Sequence, residues 1–264
     1  MPAGDETSAG NDSLSNRHPQ LYHYTDGAGF KGIVESNSLR ATYFGNLNDA
    51  NEILELRVPL VVELSRRLEP FVREIQAKGS RRSTVVSKLG GSAVVAEQLA
   101  QDWAKVLYST TFGTKDELGL CCIVSFCSHA NDQAYERENG LLSQWRGYGR
   151  NGGFCLVFNT AALSKLLEAE RGTYFYLLAQ LQAVHYPVEG ASPIDAFESL
   201  ISLSEGVIKK AVEGDRNFTT AELFVPFVES ATAFKHRGFY EEREVRLRIR
   251  TDSTSVLAFL VDQT

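Results

Sequence analysis

Four short apolar blocks with polar margins stand far apart in this chain, and helical periodicity fills the stretches between them. That rhythm limits the fold more than any other feature. The blocks are LYHYTDGAGFKGIVESNSLRATYFGNLNDANE (21–52), VSFCS (124–128), LLSQWRGYGRNGGFCLVF (141–158) and FKHRGFYEEREVRLRI (234–249). The cleanest pattern is Glu244 to Arg250, where Val245, Leu247 and Ile249 alternate with Glu244, Arg246, Arg248 and Arg250, the period of a strand. Strands are also expected at Leu21–Tyr24, Leu39–Phe44, Cys121–Phe126, Gly153–Phe158 and Val256–Val261, with Thr25 or Asp26 capping a helix after the first. Tyr174–Val184 is open between helix and strand. Helical spacing links Ile53, Leu56, Leu60, Leu64, Leu68, Phe71 and Ile75, with Pro59 and Pro70 expected to kink or divide that helix. Val95, Leu99, Trp103 and Leu107 mark another, and Ala196–Val212 and Ala221–Phe234 two more, the last despite Pro226. Lys78 to Ser92 reads as a loop and Gly140–Tyr148 as one or two helical turns.

The whole is an α+β chain: a polar tail over 1–19, then a single domain over 20–264 with helical insertions at about 50–112 and 160–235. At 264 residues and 43% hydrophobic content a sizeable core is expected. The net charge of −6 argues against a broadly basic nucleic-acid binder, while leaving room for a local basic groove. Cys121, Cys122, Cys127 and Cys155 lie in strand-like runs without the spacing of a zinc knuckle or redox motif, so they read as buried free thiols of a reducing cytosol. The tail lacks the basic start and apolar run of a signal peptide, and no apolar run reaches membrane-spanning length. A cytoplasmic protein without membrane contact is expected.

Chemistry-bearing residues gather at the block margins. His23 stands between Tyr22 and Tyr24 on the first strand, as either a hydrogen-bonded structural histidine or a ligand contact. Asn48 or Asp49 is placed to cap the long helix, with Glu52 as its capping-box partner, next to a helix N-terminus that would suit an anion. Gln144, Trp145, Arg146 and Tyr148 fall within five positions, either as core or as a surface on which a base or nicotinamide ring stacks. Glu242 and Glu244, two apart on an expected strand, would face one side with Arg246. That arrangement is either a surface charge ladder or a fixed carboxylate able to stabilise an oxocarbenium-like state. No His or carboxylate spacing suggests a metal.

LYHYT with GIVESNSLRAT, NLNDANE, VSFCS, QWRGYGRNGGFCLVF and FK…FYEEREVRL together resemble an uncharacterised bacterial family, the domain of unknown function 2971, over about 21 to 249. Members usually continue past the EREVRL block with further strand sequence, so a shortened final strand region is expected at Thr264. The opening block is also similar to the first motif of ADP-ribosyltransferase-like folds. That resemblance implies a mostly antiparallel split sheet. It also implies His23 on the adenosine ribose of NAD, and Glu244 or Glu242 at the nicotinamide ribose. Thr25, Tyr43, Asn48, Ser125, Gln144, Trp145, Tyr148 and Arg246 are the further cofactor-binding candidates, and Ser128 competes for the middle role. No Ser-Thr-Ser triplet is present.

What this implies is an NAD-consuming enzyme that modifies a macromolecular acceptor, protein or nucleic acid, in toxin or phage-defence biology, with an antitoxin or other protein as partner. Nicotinamide leaves as a neutral group, so a placed anion can carry the reaction without a metal. Two other readings compete. One is a non-catalytic module holding a nucleotide or nucleic-acid end, suggested by Trp145, Tyr148 and the Arg246, Arg248, Arg250 face. The other is a helper protein whose blocks are core.

Overall fold

The computed structural model describes residues 14–44, 52–112, 121–129, 134–149, 152–174, 176–187, 195–215 and 221–251. The chain divides into a sheet unit, from 1–50, 116–184 and 238–264, and a helical unit, from 51–115 and 185–237.

Among the described residues the sheet unit holds six antiparallel strands: β1 (Gln20–Asp26), β2 (Thr42–Tyr43), β3 (Cys121–Cys127), β4 (Gly153–Asn159), β5 (Tyr176–Ala183) and β6 (Glu244–Thr251). Their order is β4-β1-β3-β6-β5, with β2 on β3. This is an α+β sheet, as the sequence pattern predicts. Between β1 and β2 lies α1 (Gly27–Ser36), capped by Asp26, whose Oδ1 accepts from Gly29 N–H at 2.8 Å. The expected strand Leu39–Phe44 shrinks to two residues, because Leu39 and Ala41 pack against the core instead of pairing. Tyr174–Val184 resolves as strand β5. Val256–Val261 lies outside the described residues.

Residues opposite one another across antiparallel strands share a face. Cys127, Ser125 and Ile123 of β3 stand opposite Glu244, Arg246 and Arg248 of β6, and Arg246 and Arg248 stand opposite Gln182 and Gln180 of β5. The other face carries Leu21, Val124, Phe126, Leu181, Val245 and Leu247. These form one core cluster with Leu14 and with Leu163 and Leu167 of a helix over Thr160–Arg171. The alternation of β6 is therefore observed. The reading of its charged side as a surface ladder is not: Glu244 is 5%, Arg246 2% and Arg248 1% exposed.

The helical unit contains α2 (Arg57–Ala77), α3 (Arg81–Lys88), α4 (Ser92–Phe112), α8 (Glu198–Glu213) and α9 (Ala221–Ala233), counted in chain order after α5 (Ala134–Asn139), α6 (Leu142–Tyr148) and α7 (Thr160–Arg171). Leu60, Leu64, Leu68 and Val72 line one side of α2. Ala96, Ala100 and Ala104 recur every fourth residue on α4, and such small residues let α2 run close alongside. Pro59 falls in the first turn of α2, where its missing N–H leaves no bond unmade, and Pro70 sits within a helix that continues through it. The expected loop 78–92 contains α3. Ser80 caps this helix by accepting from Ser83 N–H at 3.3 Å, and it buries only Val86, so its sequence carries little periodicity. Tyr108 donates to the Ile53 carbonyl at 2.9 Å and meets the Phe227 ring edge-on.

Glu52 takes a different part from the one expected: it opens a 3₁₀ turn over Glu52–Leu56, and α2 begins only at Arg57 with no side-chain cap. Glu52 instead forms an ion pair at 3.2 Å with Lys235, both buried. Asn48 and Asp49 lie outside the described residues.

Candidate functional site

β1 and β3 are in register at one position, Tyr22 opposite Cys127. β1 nevertheless pairs with β4 along its whole length, and β3 with β6 along its whole length. The sheet thus parts between β1 and β3. At the parting, His23 Nδ1 lies 3.0 Å from the Ser125 carbonyl and hydrogen-bonds it. A side chain there takes an acceptor that a regular ladder would give to a backbone N–H. The His23 ring is half-buried and meets Phe126 edge-on, 5.8 Å between centroids.

Register divides the residues singled out from the sequence. His23, Thr25 and Tyr43 belong to the apolar face, and Tyr43 rests against Phe44. Ser125, Glu244 and Arg246 belong to the opposite face. Thr25 lies against Gly29, where an added Cβ would stand 2.0 Å from Thr25 Oγ1, so this threonine packs the start of α1.

Glu244 and Arg246 form a two-pronged pair, Arg246 Nε to Oε1 at 2.8 Å and Nη2 to Oε2 at 3.0 Å. Two apart on one strand, their side chains leave the sheet in the same direction. The planar guanidinium fixes both carboxylate oxygens. Glu242 lies outside the strand. It ends a 3₁₀ turn over Arg237–Glu242, and Arg243 follows with φ of 42°, so the chain turns between the two glutamates. The expectation of two carboxylates on one strand face is corrected to one, with Glu242 half-buried in the preceding turn.

Arg243 carries a role the sequence did not suggest. Its carbonyl accepts from Ser128 N–H at 3.2 Å and from Ser128 Oγ at 3.2 Å, its Nε donates to the Ser128 carbonyl at 3.1 Å, and its Nη2 pairs with Glu136. His18 Nδ1 lies 2.9 Å from Ser128 Oγ. This mesh ties the left-handed residue before β6 to the end of β3, fixing where Glu244 enters the sheet. Ser128 is thereby a buried structural residue.

Trp145 is half-buried and packs on Tyr24. Leu141 N–H donates to the Tyr24 hydroxyl at 2.9 Å, Tyr24 stands edge-on to Trp145 at 4.7 Å, and Trp145 Nε1 donates to the Asn139 carbonyl at 2.8 Å. Tyr22, Tyr24, Cys127 and Leu141 form a small cluster with Trp145 and Cys155 against it. Two glycines of QWRGYGRNGG belong to the same packing: a Cβ at Gly149 would stand 2.9 Å from Trp145 Cε3, and one at Gly153 2.3 Å from Gly149 Cα. Gln144 is buried, and Tyr148 is exposed.

Next to this cluster lies His129, directly after the VSFCS block. It stacks on Tyr22 at 3.6 Å and shares a 3.0 Å hydrogen bond with the Tyr24 hydroxyl through Nε2. Its buried Nδ1 has no hydrogen-bond partner among the described residues. Burial lowers its pKa, with Arg243 adding to the effect and Glu136 opposing it. Burial raises the Tyr24 hydroxyl and the Cys127 and Cys155 thiols, and pushes Cys121 up to about 11. These thiols are poor nucleophiles at neutral pH.

Among the described residues, no group of three or more His, Cys, Asp or Glu is arranged to hold a metal ion. Among them too, no helix is long and apolar enough to cross a membrane. Neither the curated proteins nor the solved structures compared with the chain give a match. The family resemblance drawn from the motif blocks does find support: residues 144–247, from Gln144 in the tryptophan block to Leu247 in β6, match the family described as protein of unknown function (DUF2971).

Proposed function

We propose that the chain is an NAD-consuming enzyme of the ADP-ribosyltransferase-like type, with its substrate cleft where β1 parts from β3. One observation carries this reading. The strands bearing His23, Ser125 and Glu244 are consecutive neighbours, β1-β3-β6, in the order that the three roles of such a site require; His23 leaves the sheet on the face opposite to Ser125 and Glu244, so in this reading the dinucleotide passes through the parting between β1 and β3 to reach both. With Nδ1 on the Ser125 carbonyl, His23 Nε2 is the nitrogen that would meet a ribose hydroxyl. Glu244, held by Arg246, supplies an oriented anion for the positive charge that develops at the ribose carbon as neutral nicotinamide departs. The acceptor is a macromolecule, and a role as a toxin or in phage defence belongs to the same proposal.

The test is nicotinamide release from NAD by the purified protein beside Glu244→Gln, Glu242→Gln and His23→Ala. The expected result is release that falls by roughly a hundredfold or more in Glu244→Gln, the usual scale for losing one electrostatic stabiliser. His23→Ala should mainly raise KM. Loss in Glu242→Gln alone would move the catalytic role to the turn. Absence of release together with absence of NAD binding would overturn the proposal.

A second reading has its own observation. Glu244 is 5% exposed, with both oxygens engaged by Arg246, as expected of a structural pair beneath a non-catalytic nucleotide or nucleic-acid site. An NAD-dependent rise in melting temperature without turnover would favour it.

A further inference from the structure

We infer that the outer edge of β4 is the pairing surface for a second copy of this chain, β4 against β4 in antiparallel register about Leu156. The two outer edges of the sheet differ in kind. Among the described residues β5 pairs only with β6, and Arg171 Nη2 occupies one of its carbonyls, that of Ala179. A charged side chain on an edge is a common block to further pairing. β4, Gly-Phe-Cys-Leu-Val-Phe-Asn over Gly153–Asn159, has neither charge nor proline, and among the described residues its only strand partner is β1.

The direction of its free backbone groups follows from one bond. Thr160 N–H donates to the Pro19 carbonyl at 3.1 Å, and these residues continue the register Gln20 with Asn159. Directly opposite pairs in an antiparallel ladder alternate between bonded and non-bonded. Thr160–Pro19 is bonded, so Phe158–Leu21, Leu156–His23 and Phe154–Thr25 are bonded also. Gly153, Cys155, Val157 and Asn159 then turn their N–H and C=O groups away from β1.

That set is symmetric about Leu156, which is what a two-fold strand pair needs. Gly153 would bond to Asn159 of the second copy and Cys155 to its Val157, with both pairs repeated by symmetry. On the apolar face Phe154 would lie across from Phe158 and Leu156 across from itself. On the other face Cys155 would lie across from Val157. No charge meets a like charge anywhere along the pair, so self-association carries no electrostatic penalty. Phe154 and Val157 are 43% and 53% exposed and lie on opposite faces, so one pairing covers both.

The test is the solution mass of the full chain by light scattering and sedimentation over a concentration series, with two variants at exposed Val157. Val157→Pro removes an outward N–H, and Val157→Lys places a charge at the seam; both are tolerated on a free edge. The expected result is a concentration-dependent dimer in the wild type. Each variant should weaken it by at least about tenfold, with its melting temperature at high dilution unchanged. Leu156→Cys should give a disulfide-linked dimer under mild oxidation, since a non-bonded opposite pair brings Cα atoms to about 4.5 Å. A wild type that stays monomeric to its solubility limit overturns the inference. So does a dimer indifferent to both Val157 variants, or an edge occupied in pure preparations by a different polypeptide.

Discussion

His129 shows how much a single side chain in this site depends on its surroundings. It has Tyr22 against its face, Tyr24 on Nε2, and Arg243 and Glu136 as the charged groups nearby. Burial lowers its pKa, and burial with Arg17 and Arg243 does the same at His18. The sign follows from proton binding. A histidine whose folded pKa lies below its unfolded 6.5 binds more protons when unfolded, so stability is full above pH 6.5 and falls as pH drops below it. The melting temperature should therefore decline from neutral pH into the acid range, as calorimetry can measure. His129→Phe, which keeps a ring against Tyr22, should flatten that decline. A wild-type curve level through this range would refute it. Nothing in the one-dimensional pattern marks His129, because its partners are a hundred residues earlier. His23, by contrast, was legible as a strand-end histidine, although the carbonyl it would meet was not.

Elements follow the sequence where one face is apolar and the other polar. β6, α2, α4, α8 and α9 all stand at or near their expected positions. α3 escapes notice because it buries a single valine, and β2 contracts because its apolar residues pack rather than pair. Alternation revealed the two faces of β6 but not what lies over them, since a buried Glu–Arg pair and an exposed ladder share one pattern. The chain turn at Arg243 was invisible for a related reason: a non-glycine residue at positive φ carries no signature of its own. Gly140 tests the α5–α6 connection. Its φ is +74°, and an added Cβ would stand 2.5 Å from the Tyr24 hydroxyl and 2.6 Å from Trp145 Nε1. Gly140→Ala should therefore destabilise the sheet unit by about 3 kcal/mol, combining backbone strain with overpacking. Denaturant unfolding measures this, and a loss under about 0.5 kcal/mol, the scale of a neutral surface change, would contradict the packing described.

For the molecule as a whole, the sheet unit is assembled from three stretches of chain and the helical unit from two. The strand that completes the sheet is the latest of the six in sequence, yet it is not at an edge. β6 lies between β3 and β5, and among the described residues it is the only strand that β5 pairs with. A chain ending at Glu242 should consequently retain helical circular dichroism from the helical unit while binding a hydrophobic dye and lacking cooperative melting of the sheet. A cooperative sheet transition in that truncation would refute the dependence. The same arrangement bears on synthesis. As the ribosome extends the chain past β5, the apolar side of an unfinished sheet waits through some sixty further residues, roughly three to twelve seconds at ordinary elongation rates. Nascent chains of this protein are therefore natural clients for a chaperone that shelters exposed strands until Glu244 leaves the exit tunnel.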